Sequence, residues 1–280
     1  MNDSFRVALG CGNFGGIGSA PEFFGKGSSR DMALAIMDAA WEAGIRWFDT
    51  ADAYGGGRSE TWIGEWIRSR GVRPRLTTKT FFPTGPGDAG GLHPSRIARQ
   101  IPISLERLGV DRLDVFLFHA FDPRVPVDES LDAVTDADEV GVSNFSAAQL
   151  APVAARVQWL QNSYSMLVRE DEEAVLPLCR THGVRYQAFS PLAGGWLAGR
   201  YIRGEPFPPG SRMSLRPGLY SGVQQDQAWD LLDTLRAEAE ARGLDMPTLA
   251  LAWALARVDS IVIGPRRPEH LAPAIRASSG

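Results

Sequence analysis

Two cysteines in 280 residues, Cys11 and Cys179, make no disulfide framework and suit a reducing compartment, so a cytoplasmic location is expected. Long apolar runs are missing as well. The longest near the C-terminus, Leu249 to Ala256, stops at Arg257 and is far too short to span a bilayer. Met1-Asn2-Asp3-Ser4-Phe5-Arg6 lacks the basic and then apolar order of a secretory leader. No basic tail or cationic cluster offsets a net charge of −4, which excludes nucleic acid and anionic membranes as expected main partners. Of four histidines, His93, His182 and His270 are scattered without ligand spacing, so no metal site is expected. What is abundant is apolar surface: 44% of residues, enough to bury one large core, so residues 1–280 are expected to form a single domain.

The order of patterns along the chain is regular. Short β-rich runs alternate with stretches of helical periodicity. Arg6 to Leu9, Ile45 to Phe48, Leu76 to Thr78 and Leu113 to Phe118 read as strands. Between them Met32, Ile36, Ala40 and Ala43 mark a helix stopped by Gly44; Trp62, Ile63, Trp66 and Ile67 mark one ending near Gly71. Ile97, Ile101, Leu105 and Leu108 mark a third, which Pro102 is expected to kink. Val140 to Val142, Val157 to Leu160, Val184 to Ala188 and Ser260 to Ile263 supply four more strands, with helices around 147–155, 172–182, 226–242 and 247–257. Eight such units without a composition break predict an α/β fold, the closed parallel (β/α)8 TIM barrel. The exception is a Pro- and Gly-rich stretch at about 200–222, expected to be a long loop after the seventh strand.

Gly10-Cys11-Gly12-Asn13-Phe14-Gly15 matches a dinucleotide fingerprint in letters only. Its last glycine should open a helix whose N-terminus meets a pyrophosphate, but Gly16, Gly18, Pro21 and Gly25 follow. It reads as a loop at the barrel mouth. Catalytic groups of a barrel sit at the C-terminal ends of different strands, so polar residues there carry the chemistry. Asp49 and then Tyr54 follow strand two, Lys79 ends strand three and His119 ends strand four. Singly, each has an ordinary structural explanation; together they converge on one rim.

Those blocks resemble the aldo-keto reductase superfamily. Phe48-Asp49-Thr50-Ala51-Asp52-Ala53-Tyr54-Gly55, Thr78-Lys79 and Leu117-Phe118-His119 are similar to the segments that carry its catalytic Asp, Tyr, Lys and His. The resemblance implies an NADPH-dependent oxidoreductase that reduces a small-molecule carbonyl or oxidises an alcohol. It places the nicotinamide carboxamide on Ser143 and Asn144, in Gly141-Val142-Ser143-Asn144-Phe145, and on Gln161. It places Phe189 under the nicotinamide, and Ser190, Leu192 and Gly194 toward the pyrophosphate, with Gly12 and Asn13 bordering the cofactor. Arg266 and Arg267, in Gly264-Pro265-Arg266-Arg267-Pro268-Glu269-His270, would grip the adenosine 2′-phosphate. The chain departs from the family pattern at several points. Phe189 replaces a tyrosine, and His270 stands where Arg or Gln is common. Pro273 and Ala274 replace Glu-Asn, and residues 130–140 are short. The usual N-terminal hairpin is not legible before Arg6.

The chemistry accounts for the residue types. A phenol of pKa about 10 is a reluctant acid–base group, and a neighbouring Lys79 ammonium would lower that value. Asp49 would hold Lys79, Tyr54 would protonate the carbonyl oxygen, and His119 would donate a hydrogen bond that orients it. Phe14, Phe23, Phe24, Phe81, Phe82 and Phe121 would either line a pocket for an aromatic or alicyclic carbonyl or pack loops together; a keto-sugar is the competing substrate. Two other functions fit parts of the pattern: an aldolase with Lys79 as Schiff base, and an NADPH-binding regulatory barrel with slow turnover.

Overall fold

The structure is a computed structural model that describes residues 6–223 and 226–279. Met1 to Phe5, read above for a leader, lie outside the described residues. Eight strands close a barrel in sequence order: β1 (Val7–Gly10), β2 (Trp47–Asp49), β3 (Arg75–Thr80), β4 (Leu113–Phe118), β5 (Ala137–Ser143), β6 (Trp159–Ser163), β7 (Arg185–Phe189) and β8 (Ser260–Ile263). Every pair is parallel, and β8 returns to β1 through Ala8 beside Val262. The helices are α1 (Arg30–Glu42), α2 (Arg58–Arg70), α3 (Pro94–Leu108), α4 (Val127–Asp132), α5 (Ala147–Leu150) and α6 (Val175–His182). They continue with α7 (Arg212–Leu215), α8 (Asp226–Ala241), α9 (Met246–Leu255) and α10 (Ala272–Ser278).

Alternation along the strands divides the core in two. Phe116 and Phe118 of β4 face the helices with Ile36, Ile63, Ile97 and Leu160, whereas Val115 and Leu117 face the barrel axis with Ala8, Trp47, Trp159 and Val262. The N-terminal end of the barrel is filled by aromatic rings and neutralised charge. Trp47 and Trp159 meet edge to face at 4.9 Å, and the Glu139 carboxylate takes bonds from Arg75, from Arg185 at 2.5 Å and from the Trp159 indole at 2.7 Å.

Two local expectations change, and a third holds. α3 runs through Pro102 without interruption, because Pro102 lies on the exposed face, where water can meet the carbonyl its missing N–H leaves unbonded. The 130–140 segment does shorten the outer layer, to a six-residue α4, but β5 then runs seven residues and keeps its register with β4 and β6. A barrel strand cannot be dropped without opening the sheet, whereas an outer helix can shrink. Nor is the stretch at 200–222 a structureless loop. It contains α7 and a 3-10 segment at Pro217–Val223, and it rests on its own apolar cluster, where Trp196 meets Tyr201 at 5.3 Å and Trp229 at 4.7 Å.

Candidate active site

Strand register brings distant residues to one level of the barrel. Asp49 ends β2, Lys79 is the penultimate residue of β3, and His119 follows β4 immediately. The Lys79 ammonium donates to Asp49 Oδ1 at 2.6 Å and to the Thr50 carbonyl at 2.8 Å, with both side chains buried. The same ammonium lies 5.1 Å from the centroid of the Tyr54 ring. The Tyr54 hydroxyl is 3.4 Å from Nε2 of His119. The four sequence-selected groups therefore meet around a single phenol.

Burial dominates the acid–base character of this cluster. It raises the Tyr54 phenol above its ordinary value, and the Lys79 charge offsets this only in part. The expected net lowering is thus corrected: Tyr54 holds its proton at neutral pH. Burial alone would depress Lys79, but Asp49 and then Tyr54 reverse this and hold it charged. Burial, followed by the Lys79 charge, keeps the His119 imidazole well below its usual range and hence neutral. Nδ1 of His119 is buried and has no hydrogen-bond partner among the described residues. The proton is therefore assigned to Nε2, which faces the phenol; a buried acceptor left unmatched costs less than a buried donor.

The loop that carries Tyr54 is clamped from behind. Gly55 and Gly57 take positive φ of 59° and 89°, and a Cβ on Gly55 would lie 2.5 Å from the Phe14 carbonyl oxygen. The buried Asp52 carboxylate accepts from the Thr80 hydroxyl at 2.6 Å, and buried Glu60 accepts from Thr78 at 2.6 Å and from Arg107 at 3.1 Å. Arg107 also donates to the Asp52 carbonyl at 3.2 Å. Sequence reasoning missed these supports, since Glu60 in the first turn of α2 reads as an ordinary dipole partner and Asp52 as a turn residue.

The residues expected at a cofactor lie around the same mouth. Ser143 ends β5 beside Gln161 of β6. Asn144, at φ 59°, donates from its side chain to the His119 carbonyl at 2.9 Å and to the Ser143 hydroxyl at 3.1 Å. Gln161 sits deeper than a surface contact: its amide donates to Asp49 Oδ2 at 2.7 Å and to Gln187 Oε1 at 2.6 Å. Phe189 ends β7, half-buried over the inner apolar cluster, and Ser190 follows at φ 53°. Leu192 and Gly194 begin the next turn; a Cβ on Gly194 would strike the Tyr220 ring at 2.6 Å. Gly12 lies beside the Tyr54 ring, where a Cβ would make ordinary van der Waals contact at 3.4 Å. The glycine run from Gly10 does form a loop, with α1 starting only at Arg30.

A cavity of about 230 Å³ opens beside this mouth, lined by Asn13, Lys26, Ser29, Arg212, Leu215 and Arg266 among others. Arg212 donates to Asn13 Oδ1 at 2.6 Å, and Arg266 to the Gly210 carbonyl at 2.7 Å. Three cations and few carboxylates suit an anionic, phosphate-bearing cofactor. Lys26 and Arg212 were not selected from the sequence, because a single cation in a Gly- or Pro-rich stretch carries no periodicity. Arg267 is exposed and 3.8 Å from Glu269. A larger cavity of about 480 Å³ lies between α4 and α5 and takes in Phe121. The six phenylalanines accordingly do not share one pocket. Phe14 is fully buried in the core, whereas Phe82 meets the His119 ring at 4.9 Å. Among the described residues no group of side chains could hold a metal ion, and no helix is long and apolar enough to cross a membrane.

A buried lysine–carboxylate pair under a rim tyrosine and histidine defines an acid–base site of the barrel oxidoreductase class. The Aldo/keto reductase family pattern matches residues 6–279, and the chain belongs to that family. It is 34% identical over 284 residues to the uncharacterized oxidoreductase YrpG of Bacillus subtilis, covering 91% of this chain and 84% of that one. It is 29% identical over 264 residues to the aldo-keto reductase yakc [NADP(+)] of Schizosaccharomyces pombe, covering 87% and 77%. Among solved structures it is similar to the glycerol dehydrogenase AKR11B4 of Gluconobacter oxydans, with a TM-score of 0.81, 25% identity and coverage of 97% and 86%. The chain is an oxidoreductase with a (β/α)8 fold.

Proposed function

We propose that this oxidoreductase is a cytoplasmic, NADPH-dependent carbonyl reductase and alcohol dehydrogenase, with Tyr54 as the proton donor to the carbonyl oxygen. The observation that carries this reading is the phenol itself. It is raised by burial, 3.4 Å from a neutral His119 and beside an ammonium fixed by Asp49. NADPH, when bound, supplies the hydride. Ser143, Asn144 and Gln161 would hold its carboxamide, Phe189 its nicotinamide face, and Arg266 and Arg267 its 2′-phosphate. Gly12, Asn13, Ser190, Leu192, Gly194 and Arg212 would border the diphosphate.

During reduction negative charge grows on the substrate oxygen. His119 orients that oxygen through its Nε2 hydrogen, and Tyr54 transfers its own proton to it. Lys79 then stabilises the phenolate left behind, which makes the transfer reversible. Phe82 lies against the His119 ring, and Phe81 meets Phe82 edge to face, which favours an aromatic or alicyclic carbonyl over a keto-sugar. An aldolase role for Lys79 is disfavoured, because a charged amine locked to a buried carboxylate is no nucleophile. A slow regulatory barrel has no feature of the site to favour it. Fluorescence titration of NADPH, followed by a panel of aldehydes and ketones, tests the proposal. Saturable binding with carbonyl-dependent oxidation is expected. Binding without oxidation by any reactive aldehyde would overturn it.

A further inference from the structure

The turn after the last strand carries Arg266, Arg267 and His270. After β8 the chain turns through Pro268–Leu271, and the backbone N–H of Arg266 donates to His270 Nδ1 at 3.2 Å. That contact directs the other ring nitrogen away from the backbone. Arg266 and Arg267 on the same turn and Arg200 from the segment after β7 bear on this ring, opposed by Glu269. Three cations against one acid form a surplus of positive charge around a group that titrates near neutrality.

We infer that His270 senses the 2′-phosphate by taking up a proton: NADPH converts its imidazole to imidazolium, NADH does not, and discrimination between them strengthens as pH falls. This rests on the cofactor reading proposed above. In the free protein partial burial holds the ring below its ordinary range; Glu269 opposes this, and Arg200, Arg267 and Arg266 add to it, so the ring is neutral at pH 7. A dianion among Arg200, Arg266 and Arg267 cancels the charge that opposes protonation. The incoming proton comes from solvent and occupies the Nδ1 lone pair, which releases the Arg266 N–H to the anion. The phosphate itself would behave in the opposite sense, since a group with a second pKa of about 6 sheds any residual proton on meeting arginines.

Calorimetric titration of NADP+ and NAD+ into the wild type and His270→Gln, at pH 7 in two buffers of different ionisation heat, separates these contributions. The wild type should take up about half a proton more than His270→Gln with NADP+, and no more with NAD+. By linkage, the NAD+ to NADP+ ratio of Kd should rise about tenfold from pH 8 to pH 6 in the wild type relative to His270→Gln. His270→Arg, permanently charged, should keep the preference and lose its pH dependence. Equal proton uptake in the wild type and His270→Gln, with NADP+ still preferred, would overturn this inference alone. Equal affinity of the wild type for both cofactors at every pH would overturn it together with the cofactor reading.

Discussion

Gln161 and Lys79 hold the Asp49 carboxylate from opposite oxygens, at 2.7 Å on Oδ2 and 2.6 Å on Oδ1. Gln161 in turn binds Gln187, whose amide donates to the Ser260 hydroxyl at 2.8 Å. Four strands thereby contribute to fixing one carboxylate inside the barrel, and the carboxylate fixes the ammonium beside Tyr54. A buried charge pair is tolerable only when its remaining bonds are satisfied, and this chain of amides satisfies them.

Tyr54→Phe should reduce turnover by about 10²–10⁴-fold while cofactor affinity stays within about twofold. The ring still packs against Gly12 and His119, so only the proton is lost. Fluorescence titration and steady-state rates on one preparation check this. A variant with near wild-type kcat would remove Tyr54 from the chemistry.

Lys79→Met should move the alkaline limb of alcohol oxidation to higher pH. The Lys79 charge pulls the raised phenol downward, and oxidation needs the phenolate as base, so losing the charge makes that base harder to form. The substitution also strands a buried carboxylate, at a cost of about 3–5 kcal/mol, which the double variant with Asp49→Asn should largely recover. Because Lys79 is raised above 10.5, the contribution of the pair is complete below that pH and fades only as pH rises through the folded value. An unchanged limb in a folded variant would uncouple Lys79 from Tyr54.

Asp52→Asn should flatten the decline of stability between about pH 4 and pH 7. Burial, followed by Glu60, raises this carboxyl from 3.8 to about 7, so across that window the folded state binds more protons than the unfolded chain. Stability attached to Asp52 is then present at low pH and lost as pH rises toward the folded value. Relative to the wild type, the variant should gain on the order of 2–4 kcal/mol between pH 4 and pH 8. Urea unfolding at both pH values measures it, and parallel curves for the two proteins would refute it.

Replacing both Arg266 and Arg267 by Ala should weaken NADPH binding by at least about tenfold and leave NADH nearly unaffected. The cofactors differ only in the 2′-phosphate, and a charge-assisted bond contributes about 1.5–3 kcal/mol. Equal losses for both cofactors would place the arginines elsewhere on the ligand.

The strand–helix alternation, the barrel it closes and the rim positions of Asp49, Lys79 and His119 were legible from residue order, because hydrophobic period and strand ends are local properties. The shortened α4 and the intact β5 were legible for a related reason: closure constrains strands and not the outer helices. Tertiary structure alone decided the rest. Whether Tyr54 is a weaker or a stronger acid than usual depends on burial against one ammonium, and burial depth is not written in spacing. Gln161 reads as a rim contact in one dimension, yet it bonds Asp49 across 112 positions of sequence. The Pro- and Gly-rich stretch looks open until its own Tyr201 and Met213 are seen buried in one cluster with Trp196, and the clasp of Arg212 on Asn13 joins residues 199 apart. Local pattern sets which faces of the chain are apolar. Which charges meet inside is set by closing the sheet, which brings residues far apart in sequence to one depth and removes the water that would have screened them.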